Sequence, residues 1–410
     1  VQVLGSTPFL SVAPWLETIT RVGDAGDSLG ADGVGINLKN FTVERLDAFG
    51  QEFESVNLNI KETLRGWRIA GRHENFDGTI DWLGDNQPLF VHAKFISMPK
   101  KEFSTLDVVA EKDVDLFKDV EPKELPAAQI KIDDLNISGN TLGRWFFNFK
   151  PTKTGGVIED LNVEIGEGTL AGIDRESGAF VNWVKGSDGH RTYFEGRYQS
   201  DNIENLFEAF QFGKPITSEY AEFIASVSWP GSPLAVDPYA FTGDLYLKMK
   251  DGQIKQTAGT SADALKLISL LNFSHLLRRV RLDFGDVYKT GLSYDRMQGI
   301  LMLQPGEITL EEPLHVSSSS SDFKLLGKIN TAEELIDGEL IVTLPVTSNL
   351  PWLVALSGAV PMVAAGAWLF GKIFESQIDR LSSAVYSLKG SWAEPEIVFD
   401  KLFDFGGQSQ

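Results

Sequence analysis

The chain has no cysteine in its 410 residues. That excludes disulfide scaffolds, thiolate metal sites and cysteine nucleophiles, while leaving the compartment open. Positive charge is also scarce. Thirty-seven Lys and Arg stand against 57 Asp and Glu, for a formal net charge of -20. Such a surface repels nucleic acid and anionic headgroups at long range, and no broad basic patch offsets it, so no nucleic-acid partner is expected. Only five histidines occur, His73, His92, His190, His275 and His315. None stands at metal-ligand spacing, and each reads as an isolated loop, strand or helix-face residue. There is no Gly-x-Ser-x-Gly elbow and no P-loop. The glycine clusters around Gly30, Gly33 and Gly35, and at Gly166 and Gly168, lack the strand-to-helix context of a nucleotide fingerprint and read as turns. Acid pairs such as Asp133-Asp134 and Glu333-Glu334 are expected by chance among so many carboxylates. No catalytic residue, metal or cofactor is therefore expected. The chain begins at Val1 with no charged n-region and no apolar h-region. The expectation is a fragment or processed chain whose signal or anchor lies upstream.

What the chain does have is strand-forming sequence. Hydrophobic residues make up 42% and charged residues 23%, enough for a large core and too apolar for disorder. The dominant pattern alternates with period 2, the mark of strands with one apolar and one polar face. Val56, Leu58 and Ile60 alternate with Ser55, Asn57, Asn59 and Lys61. Trp145, Phe147 and Phe149 face away from Asn148 and Lys150. Leu161, Val163 and Ile165 alternate with Asn162 and Glu164. Leu245, Leu247 and Met249 alternate with Asp244, Tyr246, Lys248 and Lys250, and Asp251-Gly252 then predicts a hairpin with a new strand at Ile254. Further strands read at about 297–303, 307–311 (with Ile308 and Leu310 inward), 323–329, 338–344, 385–392 and 396–399. The 39 glycines punctuate these runs. Ser317 to Ser321 reads as a turn or strand edge.

Helices are few. Ser261 is a candidate cap for a helix over 261–277, with Ala264, Leu265, Ile268, Leu271 and Leu276 on its apolar face. Asp201 is a candidate cap for a shorter one holding Ile203, Leu206, Phe207 and Phe210. A weak repeat of about a hundred residues is also visible. Leu38 to Val43, Gly66-Trp67 and Gly78 before Trp82 are followed by Ile132 to Ile137, Leu142 to Trp145 and Gly178 before Trp183. It reads either as stacked β-units or as chance similarity among strands spaced by Gly and Trp. Trp67, Trp82, Trp145, Trp183, Trp229 and Trp392 suit core packing and groove lining equally.

No charge occurs between Glu339 and Lys372. Within that window, 350–371 holds Trp352, Leu353, Val354, Leu356, Val360, Met362, Trp368, Leu369 and Phe370. Pro351 and Pro361 divide it. Three readings stay open: a membrane-contacting helical hairpin, a buried plug, and a transmembrane helix. Trp352 and Trp368 near its ends suit a membrane interface or a core. Arg278, Arg279 and Arg281 form the one basic cluster. They either offset the dipole of helix 261–277 or meet lipid phosphate.

Three of these features agree in order and spacing with a known family. The segment from Leu277 through Arg278-Arg279-Val280-Arg281-Leu282-Asp283-Phe284-Gly285-Asp286 to Val287, followed by Gly291, Asp295 and Gly299, resembles the C-terminal signature of YhdP-type AsmA-like proteins. The apolar stretch 350–371 and the closing Gly390-Ser391-Trp392 with Pro395 resemble it too. The match is clearest over about 260–399 and only general in 1–255. The resemblance implies an elongated, twisted, mostly antiparallel β-groove, taco-like, with a few helices near the C-terminus. It implies repeated groove units over 1–255, and an AsmA-like region over 256–399 with helix 261–277 and an apolar hairpin at 350–383. Residues 400–410 form a tail. It further implies passive phospholipid transport across the periplasm, with the apolar strand faces named above as the lipid path. The inner membrane would be reached through an upstream anchor, and the inner leaflet of the outer membrane through 350–371. Two rivals are a non-conducting scaffold for outer-membrane assembly and a β-scaffolded extracellular enzyme or sugar-binding module. The first predicts a closed dry sandwich, the second a polar cleft with convergent carboxylates.

Overall fold

A computed structural model of the chain describes residues 2–12, 37–48, 51–64, 66–84, 87–98, 115, 117–137, 139–174, 176–209, 216–255, 292–319, 321–343, 381–391 and 395–404. The chain is mostly β, as the alternation predicts. It divides into two units, Val1–Tyr198 with Ser228–Asp237, and Gln199–Val227 with Pro238–Gln410.

The first unit opens with three two-residue strands, β1 (Gln2–Val3), β2 (Ser6–Thr7) and β3 (Leu10–Ser11), which pair in parallel with the edge of β4 (Asn37–Ala48). A meander follows: β5 (Gln51–Thr63), β6 (Gly66–His73), β7 (Phe76–Trp82) and β8 (Leu89–Met98). The next strand, β9 (Ala128–Ile132), lies parallel to β8. Parallel neighbours need a long return connection, and residues 99–127 supply it. The sheet is consequently mixed rather than purely antiparallel. β10 (Leu135–Ile137) and β11 (Asn140–Thr141) form a small hairpin beside the end of β8. β12 (Arg144–Pro151) returns against β9, followed by β13 (Gly155–Ile165), β14 (Gly168–Ala171), β15 (Ala179–Gly186) and β16 (Gly189–Ser200).

The ladder shifts register at Leu38/Phe41, Asp77/Gly78, Phe146/Asn148 and Ile158/Leu161. Asn40 and Asp160 take positive φ at the first and last of these sites. Bulges of this kind bend a strand and raise its twist, so they curve the sheet at defined points.

The second unit holds a short helix, α1 (Ile203–Ala209), then β17 (Ile216–Pro230), whose last residues fall in the first unit. An antiparallel meander completes it: β18 (Thr242–Ile254), β19 (Leu292–Gln304), β20 (Glu307–Ser318), β21 (Ser321–Asn330), β22 (Leu335–Thr343), β23 (Leu381–Ser391) and β24 (Glu396–Asp404). Of the serine run, Ser317 and Ser318 end β20 and Ser321 opens β21.

Two local expectations are corrected. The helix cap is Asn202, not Asp201: the Glu204 N–H donates to Asn202 Oδ1 at 3.2 Å. Asp251-Gly252 makes no hairpin, because β18 runs straight through it and Gly252 pairs with Tyr294 of β19. Asp251 instead takes φ 50 inside the strand. A Cβ on Gly252 would sit 2.1 Å from the Thr217 carbonyl, so the glycine marks a close backbone approach.

Candidate functional site

Paired residues in a ladder share a face, so the registers identify which side chains lie side by side. In the first unit one apolar row crosses seven strands: Leu38, Ile60, Ile69, Ile80, Val91, Ile130 and Phe147. Every member is half-buried. At ~4.8 Å per strand spacing the row is ~29 Å long. A second row on the same face runs Phe41, Leu58, Gly71, Gly78, Ala93, Ile132, Trp145 and Val163. A third runs Leu89, Ala128, Phe149, Ile158, Val181 and Phe194. Among the described residues all strands of this unit belong to one sheet.

Of the residues singled out in the sequence, Leu58, Ile60, Trp145 and Phe147 lie half-buried on this face. Val56 is fully buried, packed with Val43 and Leu46 under Leu10, Val12, Phe53 and Phe76 at the β3–β5 edge. Phe149, Leu161, Val163 and Ile165 are buried. Sequence reasoning missed Ile69, Ile80, Val91 and Ile130. Their strands are short and interrupted by Gly and His, yet Ile69 and Ile80 alternate with Arg68, Ala70, Thr79 and Asp81, a signal that was there to find.

The opposite face is polar. Arg68 pairs with Asp81, its Nη2 donating to Oδ2 at 2.6 Å. Asp77 lies 3.4 Å from both Arg72 and Lys94. Asp133 accepts from His92 at 2.7 Å and sits 3.0 Å from Lys131. Hydrogen bonds from His92 and then Lys131 hold its carboxyl below the usual range. Exposed pairs of this kind contribute only ~0–1 kcal/mol each. Their consequence is sidedness: charge on one face, hydrocarbon on the other.

In the second unit the apolar rows are equally continuous but sealed. Met249, Met297, Val316, Phe323, Val342 and Ala384 form one, with at most 1% exposure each. Leu247, Gly299, Leu314, Leu325, Leu340 and Tyr386 lie beside it, with Gly299 packed against Leu314. Leu310 and Ile308 are buried as well, and Leu245 is half-buried. Burial pushes the Tyr294 hydroxyl up to about 12, and the neutral hydroxyl donates to the Thr217 carbonyl at 2.7 Å.

The basic cluster Arg278, Arg279 and Arg281, helix 261–277, and the apolar stretch from Trp352 to Phe370 lie outside the described residues. Among the described residues, no helix is long and apolar enough to cross a membrane and no cluster of three metal-ligating side chains occurs.

No solved structure matches the chain. It is 23% identical over 264 residues to the intermembrane phospholipid transporter YhdP of Escherichia coli (strain K12), a stretch covering 64% of this chain and 19% of that protein. The chain thus spans about one fifth of that relative's length. A family profile described as YhdP protein matches residues 1–397. With nearly its whole length so matched, the chain belongs to the YhdP family.

Proposed function

We propose that this chain is a section of a phospholipid conduit, and that the half-buried apolar face of β5–β9 and β12 is its hydrocarbon path. The observation carrying this reading is the continuous row from Leu38 to Phe147, apolar across seven strands and only half-covered. Globular proteins seal such surface, because each exposed CH₂ forgoes ~0.8 kcal/mol of burial. An acyl chain laid along the row recovers it. A leaflet contributes about half of a ~30 Å hydrocarbon core, so the row accommodates about two tails end to end. Headgroups remain in water while the charged outer face keeps the sheet soluble. The process is passive and has no covalent step. The resemblance to an intermembrane phospholipid transporter supports this reading and favours the periplasm as its setting.

The rival scaffold reading predicts the same fold with no lipid on this face. Site-specific photocrosslinking separates them. A photoreactive residue at Leu58 or Phe147 is expected to label phospholipid, and Leu58→Asp to abolish labelling at Phe147 without unfolding the chain. Absence of phospholipid adducts at both positions would exclude conduction here.

A further inference from the structure

The third apolar row continues past β12 without a chemical break, through Ile158 of β13, Val181 of β15 and Phe194 of β16. Along it Leu89, Ala128, Phe149 and Val181 are buried, and Ile158 and Phe194 half-buried. On β13 and β15, Leu161, Val163, Val181 and Trp183 are all buried, whereas the row from Leu38 through Ile60, Ile69 and Ile80 to Val91 is half-buried throughout. Over one end of this stretch, at Trp183, Lys185 and His190, runs the last part of the β8–β9 connection, the strap from Asp115 to Leu125.

The strap crosses the strand ends in order. The Lys118 carbonyl lies 2.9 Å from His190 Nε2 on β16. Lys185 of β15 donates to the Val120 carbonyl at 3.3 Å and pairs with Glu121 at 2.7 Å. The short 3₁₀ turn Pro122–Glu124 packs against β15, β13 and β12, with Pro122 buried. The chain then enters β9. Trp183, Lys185 and His190 share the face of Val181, because Trp183 and Lys185 follow it at two-residue steps and Lys185 pairs with His190. The Phe117 ring lies on the Trp183 ring at 5.7 Å between centroids. The strap is therefore on the apolar side.

Its anchorage is polar and local. Asp115 accepts from the Ser232 N–H at 2.9 Å, the Ser232 hydroxyl at 2.5 Å and the Phe117 N–H at 3.0 Å. Trp183 Nε1–H donates to His190 Nδ1 at 2.9 Å, so Nε2 carries the proton given to Lys118. Among the described residues no strand of the sheet pairs with the strap, and Phe117, Val120 and Leu125 are half-buried. We propose that β13–β16 form an occluded continuation of the acyl-chain path, and that the Asp115–Leu125 strap is its closure, latched at Asp115. This rests on the conduit reading above. Released, the strap exposes Trp183 and Val181, and a hydrocarbon tail replaces the Phe117 ring.

The absence of native cysteine makes the test clean. An Asp115→Cys/Ser232→Cys pair replaces the latch with a bond that can be closed or opened at will. The full chain, with a photoreactive residue at Val181 or at Ile80, is exposed to vesicles of phosphatidylethanolamine and phosphatidylglycerol. Ile80 is expected to label phospholipid in every form. Val181 is expected to stay unlabelled in the native and oxidised chains, and to approach the Ile80 level in the reduced pair and in Asp115→Asn. Equal labelling at Val181 in the oxidised and reduced forms overturns the closure. Labelling at Val181 in the native chain does the same. Failure of Ile80 in every form overturns the conduit reading itself, and the closure with it.

Discussion

Asp115 is a single carboxylate holding three donors. Burial works to raise its pKa, but hydrogen bonds from the Ser232 hydroxyl, the Ser232 N–H and the Phe117 N–H outweigh it and hold the group below its ordinary value. A depressed carboxyl contributes stability that is present above its unfolded value of ~3.9 and is lost as pH falls through the lower folded value. Hydrogen-exchange protection of the Phe117 amide should accordingly stay flat between about pH 5 and 8 and drop only below about pH 4. A decline between pH 7 and 5 would mean that some other group holds the strap. Trp183→Phe keeps the ring but removes the N–H that His190 accepts. Leaving that buried acceptor unpaired should cost ~1–3 kcal/mol, read as a lower midpoint in chemical denaturation. Gly252→Ala should be similarly damaging, by ~1–3 kcal/mol, because its methyl meets the Thr217 carbonyl rather than a side chain that can move.

At the scale of elements, the same alternating pattern gives strands of two kinds. Ile69 and Leu340 each sit in the middle of an apolar row, yet Ile69 is half-buried and Leu340 fully buried. Leu340→Ala is expected to destabilise by ~2–5 kcal/mol, the usual cost of a large truncation in a packed core. Ile69→Ala should cost clearly less, since much of its surface already meets solvent. Equal losses in denaturant titrations would show that the face of β6 is packed like a core and is no path. The alternation legible around Val56–Ile60, Trp145–Phe149, Leu161–Ile165 and Leu245–Met249 located four true strands. It did not reveal exposure, because an apolar stripe reads alike whether bare or covered. Asp251-Gly252 misled for a related reason. The dipeptide favours positive φ, and the fold uses that freedom inside a strand instead of at a turn. The parallel placement of β9 beside β8 was also hidden, since residues 99–127 carry no periodicity that says where the chain returns.

For the molecule as a whole, composition and architecture agree. A chain with net charge -20 and no cysteine presents charge on one side of the sheet in its first unit and hydrocarbon on the other. Membership of the YhdP family could be read from the C-terminal motifs, while the face best suited to hold lipid lies mostly in strands where that resemblance was only general. The difference is physical. Sequence motifs record particular side chains, whereas an apolar trough needs only sidedness and volume, which many sequences satisfy. The most direct measurement is gentle purification of the chain followed by native mass spectrometry. The account predicts co-purified phospholipid on the native chain, lost when Ile69, Ile80 and Val91 are all replaced by Asp in a still-folded variant. A native chain without lipid, or a triple variant that retains it in full, would contradict the claim that this face carries hydrocarbon.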